Sequence, residues 1–181
     1  LHTCEYLEKK GMRVTYLPVD EKGMISLDQL EDAICEETCM ISVMFANNEI
    51  GTIQPIKEIG EIAKEHDIIF HTDAVQAYGH VPINVDEYHI DMLSASGHKI
   101  NGPKGIGIMY LRNSVKIGPF IHGGAQERNR RAGTHNVPGI VGFGKATEIA
   151  KETMAERSAY ETKLRDRLIE GLTAIPNSRL N

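Results

Sequence analysis

No stretch of this 181-residue chain approaches the roughly 20 consecutive apolar residues that a bilayer-spanning helix needs. No long basic run occurs either, and the formal net charge is -5, which argues against nucleic acid as the main partner. Cysteine is scarce. Cys4, Cys35 and Cys39 make an odd count without metal-ligand or disulfide-framework spacing, so reduced thiols in a cytoplasm fit best. The opening Leu1-His2-Thr3-Cys4-Glu5 lacks the pattern of a signal peptide. No Gly-Lys-Ser/Thr phosphate loop and no strand–GxGxxG–helix unit is present, so Gly102-Pro103-Lys104-Gly105-Ile106-Gly107 reads as a tight turn before a strand. His71, His80, His89 and His98 recur every nine residues, a spacing that fits no helical ligand pair and no zinc pattern. No metal site is expected.

What remains is ordinary for a soluble globular protein: 25% charged and 41% hydrophobic residues. Apolar runs alternate with helical periodicity, which predicts an α/β fold with a mainly parallel sheet and flanking helices. The chain opens within a helix that Gly11 closes. Met12 to Leu17 reads as a strand, with Pro18 and Gly23 marking the following turn. Ser26 and Gln29 make a capping box for a helix from Leu27 to Cys35. Cys39 to Phe45 reads as a second strand. Pro55 then opens a helix with Ile56, Ile59, Ile62 and Ala63 on one face. Further strands are predicted at the run before Asp73, at Asp91 to Ala95 and at Ile106 to Leu111. A long helix runs from Val137 to Leu172, with a bend expected near Gly142 or Gly144. Cys4, beside Tyr6 and Leu7, and Cys39, at the head of an apolar strand, read as core thiols.

Two residues carry the chemistry. Asp73 follows Ile68-Ile69-Phe70, and Lys99 follows Met92-Leu93-Ser94-Ala95, so two buried strands deliver an acid and an amine from their carboxyl ends. Open α/β sheets bind ligands at that end. A lysine able to form an imine and an acid able to pair with a pyridinium nitrogen are the groups that pyridoxal 5'-phosphate chemistry most needs. Taken singly, Asp73 reads as a helix cap and Lys99 as a solvated surface lysine, since such residues are common outside sites.

The surrounding words favour the functional reading. Asn47-Asn48-Glu49-Ile50-Gly51, His71-Thr72-Asp73-Ala74-Val75-Gln76, Ser96-Gly97-His98-Lys99 and Gly102-Pro103-Lys104-Gly105 occur in order. They are followed by His122-Gly123-Gly124-Ala125-Gln126-Glu127-Arg128 and Arg131-Ala132-Gly133-Thr134. Together they resemble the cysteine desulfurases, pyridoxal-phosphate enzymes of aminotransferase class V. The His-Gly-Gly element with Gln-Glu-Arg is similar to the branch serving nitrogenase and iron–sulfur assembly.

The resemblance implies the central part of the large domain of a fold-type I pyridoxal-phosphate transferase over residues 1–136. Residues 137–181 would be a helical segment leading toward a smaller domain. It implies Lys99 as the imine lysine and proton shuttle, and Asp73 as partner of the ring nitrogen. Asn48 and Gln76 would bind the cofactor's phenolic oxygen, Ser96 and His98 its phosphate, and Thr134 the phosphate in the neighbouring subunit of a homodimer. The substrate would be L-cysteine, and the sulfur would pass to an iron–sulfur scaffold or another acceptor protein. A phosphate loop and a stacking histidine are expected before Leu1, and the persulfide-forming cysteine and a carboxylate-gripping arginine after Asn181. On that expectation the chain is a fragment, inactive by itself. A selenocysteine lyase, a β-lyase or a non-catalytic α/β piece are the alternatives.

Overall fold

The computed structural model describes residues 1–180. Four strands form one sheet: β1 (Met40–Met44), β2 (Ile69–Asp73), β3 (Met92–Ser96) and β4 (Gly107–Leu111), in the spatial order β1-β2-β3-β4. The first three run parallel and β4 returns antiparallel to β3. The reversal follows from the short link. Only a 3₁₀ turn, Gly97–Ile100, and the glycine-rich turn after it separate the two strands, too little for the crossover a parallel pair requires.

Among the described residues five helices accompany the sheet: α1 (His2–Glu8), α2 (Leu27–Ala33), α3 (Ile56–Glu65), the single turn α4 (Gln126–Asn129) and α5 (Val137–Thr173). Ser26 caps α2 by accepting from the Gln29 amide at 3.3 Å, the expected signal, and the helix stops two residues short of Cys35. The apolar stripe of α3 is buried as its periodicity predicts: Ile56, Ile59, Ile62 and Ala63 pack in one cluster with Phe70, Ile41 and Leu93 from the sheet. Burying each such side chain contributes about 1.5–3 kcal/mol, which makes the α3 face of the sheet the core of the molecule. Asp67, with φ 54, turns the chain from α3 into β2.

Three expectations need correction. Met12 to Leu17 is not a strand. Its surroundings offer one isolated bridge, Val19 to Ile25, and Met12 and Tyr16 remain 48% and 46% exposed. Among the described residues no sheet edge pairs with the segment, so local β character has no ladder to join. Neither is α5 interrupted at Gly142 or Gly144. A Cβ at Gly142 would sit 2.6 Å from Pro103 Cγ, so this glycine admits the proline of the Gly102-Pro103 turn. Finally, Cys39 is exposed and Cys4 only half-buried. Cys39 precedes an edge strand and α1 buries none of its residues, so neither thiol reaches the core.

Candidate active site

The carboxyl ends of the parallel strands collect most of the chemistry. Asp73 is the last residue of β2 and Ser96 the last of β3, while β1 ends at Met44 just before the loop that carries Asn48. Register aligns them: Met44 pairs with Asp73, and Asp73 with Ser94. Beyond the strand ends, the Phe45 amide donates to the Asp73 carbonyl at 2.8 Å and the Ala74 amide to the Ser94 carbonyl at 2.9 Å. The Asp73 carboxylate accepts from the Val75 amide through Oδ1 at 3.0 Å. That local bond fixes the side-chain angle while Oδ2 has no partner among the described residues.

Lys99 lies in the 3₁₀ turn Gly97–Ile100 directly after β3. Its side chain is exposed and joins no ion pair among the described residues, but its backbone is held on several sides. The Gly97 amide donates to the Ile106 carbonyl, the Gly102 amide donates to the Gly97 carbonyl, and His80 Nε2 lies 3.1 Å from the Lys99 carbonyl oxygen. A Cβ on Gly97 would press on Ile106, Phe143 and the Pro103 carbonyl at 3.0–3.1 Å. Glycine is therefore required for the turn to seat against α5, where Ile100, Phe143, Ala146 and Ala150 form a second cluster. A free amine on a clamped backbone is suited to imine formation.

Ser96 and His98 sit on the same turn, with Ser96 Oγ and His98 Nδ1 2.8 Å apart. Gln76 is half-buried in the turn after Asp73, and Asn48 is exposed, donating through Nδ2 to Glu49 Oε1 at 3.0 Å. Asn48, Asp73, Gln76, Ser96, His98 and Lys99 thus belong to the strand ends and following loops at one end of the sheet. Thr134 does not join them: it is exposed in the loop between α4 and α5. Nearby, Glu127, Arg128 and Asn129 take left-handed φ of 51, 57 and 66°, and Arg131 donates to the Gly133 carbonyl at 2.8 Å.

The four nine-spaced histidines serve separate ends. His71 bridges strands, His80 and His98 hold the lysine turn, and His89 lines a cavity of about 420 Å³ with Lys64, Asp91 and Arg112. That cavity borders the starts of β2 and β3, at the far end of the sheet from Asp73 and Ser96. Among the described residues no group of three His, Cys, Asp or Glu side chains is placed to share a metal ion. No described helix is long and apolar enough to cross a membrane.

Sequence reasoning gave His71 no role. Its Nδ1 lies 2.8 Å from Ser42 Oγ on β1, and its Nε2 lies 3.0 Å from Ser94 Oγ on β3. Burial pushes the imidazole below the usual histidine range, and the neighbouring Asp73 carboxylate acts in the opposite direction. The available signal was strand alternation, which puts residues 71 and 73 on one face.

The aminotransferase class-V family model matches residues 1–181. A protein named cysteine desulfurase IscS from Methanosarcina thermophila is 66% identical over 181 residues, which is 100% of this chain and 45% of that protein. Among solved structures, a NifS-like protein superposes with a TM-score of 0.93 at 46% identity, covering 96% of this chain and 48% of that one. SspA in complex with cysteine superposes with a TM-score of 0.79 at 48% identity, over 88% of this chain and 48% of that one. The chain spans about half the length of the relatives it matches. With the matched family model covering every residue, this chain belongs to the aminotransferase class-V family.

Proposed function

We propose that this chain is the cofactor-anchoring segment of a cysteine desulfurase, and that the whole protein converts L-cysteine to L-alanine with transfer of the sulfur to a protein thiol. The observation that carries the proposal is the pairing of strand ends: a carboxylate with an open Oδ2 on β2 and a clamped lysine turn following β3, on adjacent parallel strands. The residues present fit pyridoxal 5'-phosphate. That group supplies, when bound, an aldehyde that takes up an amine and a cationic ring that withdraws electrons. Lys99 would hold the aldehyde carbon and afterwards carry the proton to and from the substrate Cα. Asp73 would keep a proton on the ring nitrogen. Asn48 and Gln76 would donate to the phenolic oxygen, and Ser96 and His98, already neighbours, to the phosphate. Thr134 would serve the phosphate of a second copy in a homodimer. Residues 1–136 would form the cofactor-binding unit, and the helical segment 137–181 would lead away from it.

In the desulfurase reaction a protein thiolate attacks the substrate sulfur, and the C–S bond breaks with its electron pair left on Cβ. A proton completes alanine there, and the thiol becomes a persulfide, so no outside oxidant is needed. Cys35 and Cys39 precede β1, at the opposite end of the sheet from Asp73 and Lys99, so neither is the attacking thiol. The persulfide would feed an iron–sulfur scaffold or another sulfur acceptor, in a cytoplasmic setting that keeps thiols reduced. The homology to desulfurases and to a protein solved with cysteine supports L-cysteine as substrate.

The test is chemical trapping. The whole protein is incubated with pyridoxal 5'-phosphate, reduced with borohydride and mapped by peptide mass spectrometry. A single reduced adduct on Lys99 is expected. An adduct on another lysine, with Lys99 unmodified, overturns the assignment.

A further inference from the structure

On the sheet face that carries Asp73, polar side chains run across three strands. Register places Ser42 beside His71, and Ser94 beside Asp73. His71 spans the gap between the two serines, 2.8 Å from one and 3.0 Å from the other. A neutral imidazole offers one N–H donor and one acceptor nitrogen, and a hydroxyl can answer either, so both contacts are satisfied in either tautomer. The opposite face is apolar core, with Ile41, Phe70 and Leu93 buried. This row is therefore not a leftover of a polar sheet but a local insertion beneath the proposed ring-binding acid.

We propose that His71 is a positioning residue for Asp73: tied to Ser42 and Ser94, it locks β1, β2 and β3 together one pleat below the carboxylate and leaves that carboxylate's charge uncompensated for the cofactor ring. The inference rests on the desulfurase reading of the site. Burial favours the neutral imidazole here, and a cation at this position would compete with the ring nitrogen for Asp73. Among the residues on this face, Asp73 is the titratable group facing His71 from its own strand. The neighbouring positions on β1 and β3 are Met40, Ser42, Met44, Met92, Ser94 and Ser96, and β4 adds Met109 and Leu111, none of them charged. Asp73 thus meets no competing cation on the sheet provided His71 stays neutral.

Two measurements test this. In the cofactor-free protein, ¹⁵N NMR of the imidazole should show His71 still neutral at about pH 6.5, where an ordinary histidine is half protonated. Protonation of His71 at or above about pH 6.5 would overturn the inference without reference to any cofactor. In the second, ¹⁵N-labelled pyridoxal phosphate is fixed on Lys99 by borohydride, and the ring nitrogen is titrated. His71→Ala should lower its proton affinity about tenfold, one pH unit, and His71→Gln, which keeps a donor and an acceptor, should restore most of it. Asp73→Ala provides the separation. If Asp73→Ala leaves the ring nitrogen unchanged, the cofactor reading itself fails. If Asp73→Ala moves it and His71→Ala does not, only the role of His71 is refuted. A role limited to fold stability would shift the melting temperature of His71→Ala and leave the ring nitrogen where it was.

Discussion

His80 Nε2 lies 3.1 Å from the carbonyl oxygen of Lys99, so the turn that follows Asp73 is fastened to the turn that carries the amine. The two chemical groups arrive from different strands and nineteen positions apart in sequence separate the bonded residues. The contact makes their placement one unit, and it is backed by Arg157, which reaches from α5 to the Gly79 carbonyl. Replacing His80 by Ala should cost about 1 kcal/mol of stability, the usual net worth of such a bond. It should also slow formation of the borohydride-reducible adduct at Lys99. Denaturant melts and trapping time courses on the same preparation check both, and unchanged trapping would show that the turn holds without His80.

Lys99 and Lys104 are a built-in comparison, since both lie in the loop between β3 and β4 and both are exposed. Lys99→Ala should abolish the reducible adduct, whereas Lys104→Ala should leave it intact. Retention of adduct in the first variant would move the imine elsewhere.

Asp73→Ala should reduce turnover of the whole protein by at least about 100-fold, the scale of losing a key electrostatic partner. Cofactor retention should fall far less, because the proposed phosphate contacts remain. Steady-state alanine production and cofactor content after dialysis separate the two effects. Unaltered turnover would leave Asp73 as no more than the acceptor for the Val75 amide.

The 181-residue chain alone should release no sulfide from L-cysteine above the background of free pyridoxal phosphate, because Cys35 and Cys39 lie ahead of β1, away from the proposed site, and Cys4 lies on α1, outside the sheet. Cys35 should still be a reactive thiol. Hydrogen bonding with Thr38, aided by the Glu37 backbone and Arg13, lowers its pKa, so it should be alkylated by iodoacetamide faster than Cys39 near neutral pH. Sulfide release that disappears on mutation of Cys4, Cys35 or Cys39 would force a new nucleophile assignment.

Stability should respond to pH through His71. Its folded pKa lies below the unfolded value, so protons bind preferentially to the unfolded chain. The contribution of the neutral imidazole is fully present above the unfolded pKa of about 6.5 and is lost as pH falls through the lower folded value. Melting temperature should therefore drop below pH 6.5, and His71→Gln should flatten that part of the profile. An identical acid limb in the variant would assign the loss to other groups.

Thr72 offers a simpler test of packing. It is fully buried, and its Oγ1 has no hydrogen-bond partner among the described residues. Thr72→Val keeps the shape and removes the unsatisfied hydroxyl, and should raise stability by about 1 kcal/mol. Chemical denaturation measures it, and a loss of similar size would point to a partner for the hydroxyl.

Much of this protein is legible from the sequence by itself. The stripe of α3, the Ser26 cap, the strands ending at Asp73 and Ser96 and the single lysine turn are local features, written in spacing and in turn residues that neighbours in sequence can satisfy. The ordered motifs likewise put Asp73 and Lys99 at the same end of a parallel sheet. What only the tertiary structure decided depends on partners far along the chain. Met12 to Leu17 has strand-like residues but pairs with neither edge of the sheet, Gly142 is small because Pro103 comes against it, and Cys39 is exposed ahead of the edge strand β1. The row Ser42, His71 and Ser94 exists only once three strands lie in one register. Period-two alternation tells which face a side chain takes, but register is a pairing between distant segments, and it alone decides which side chains meet.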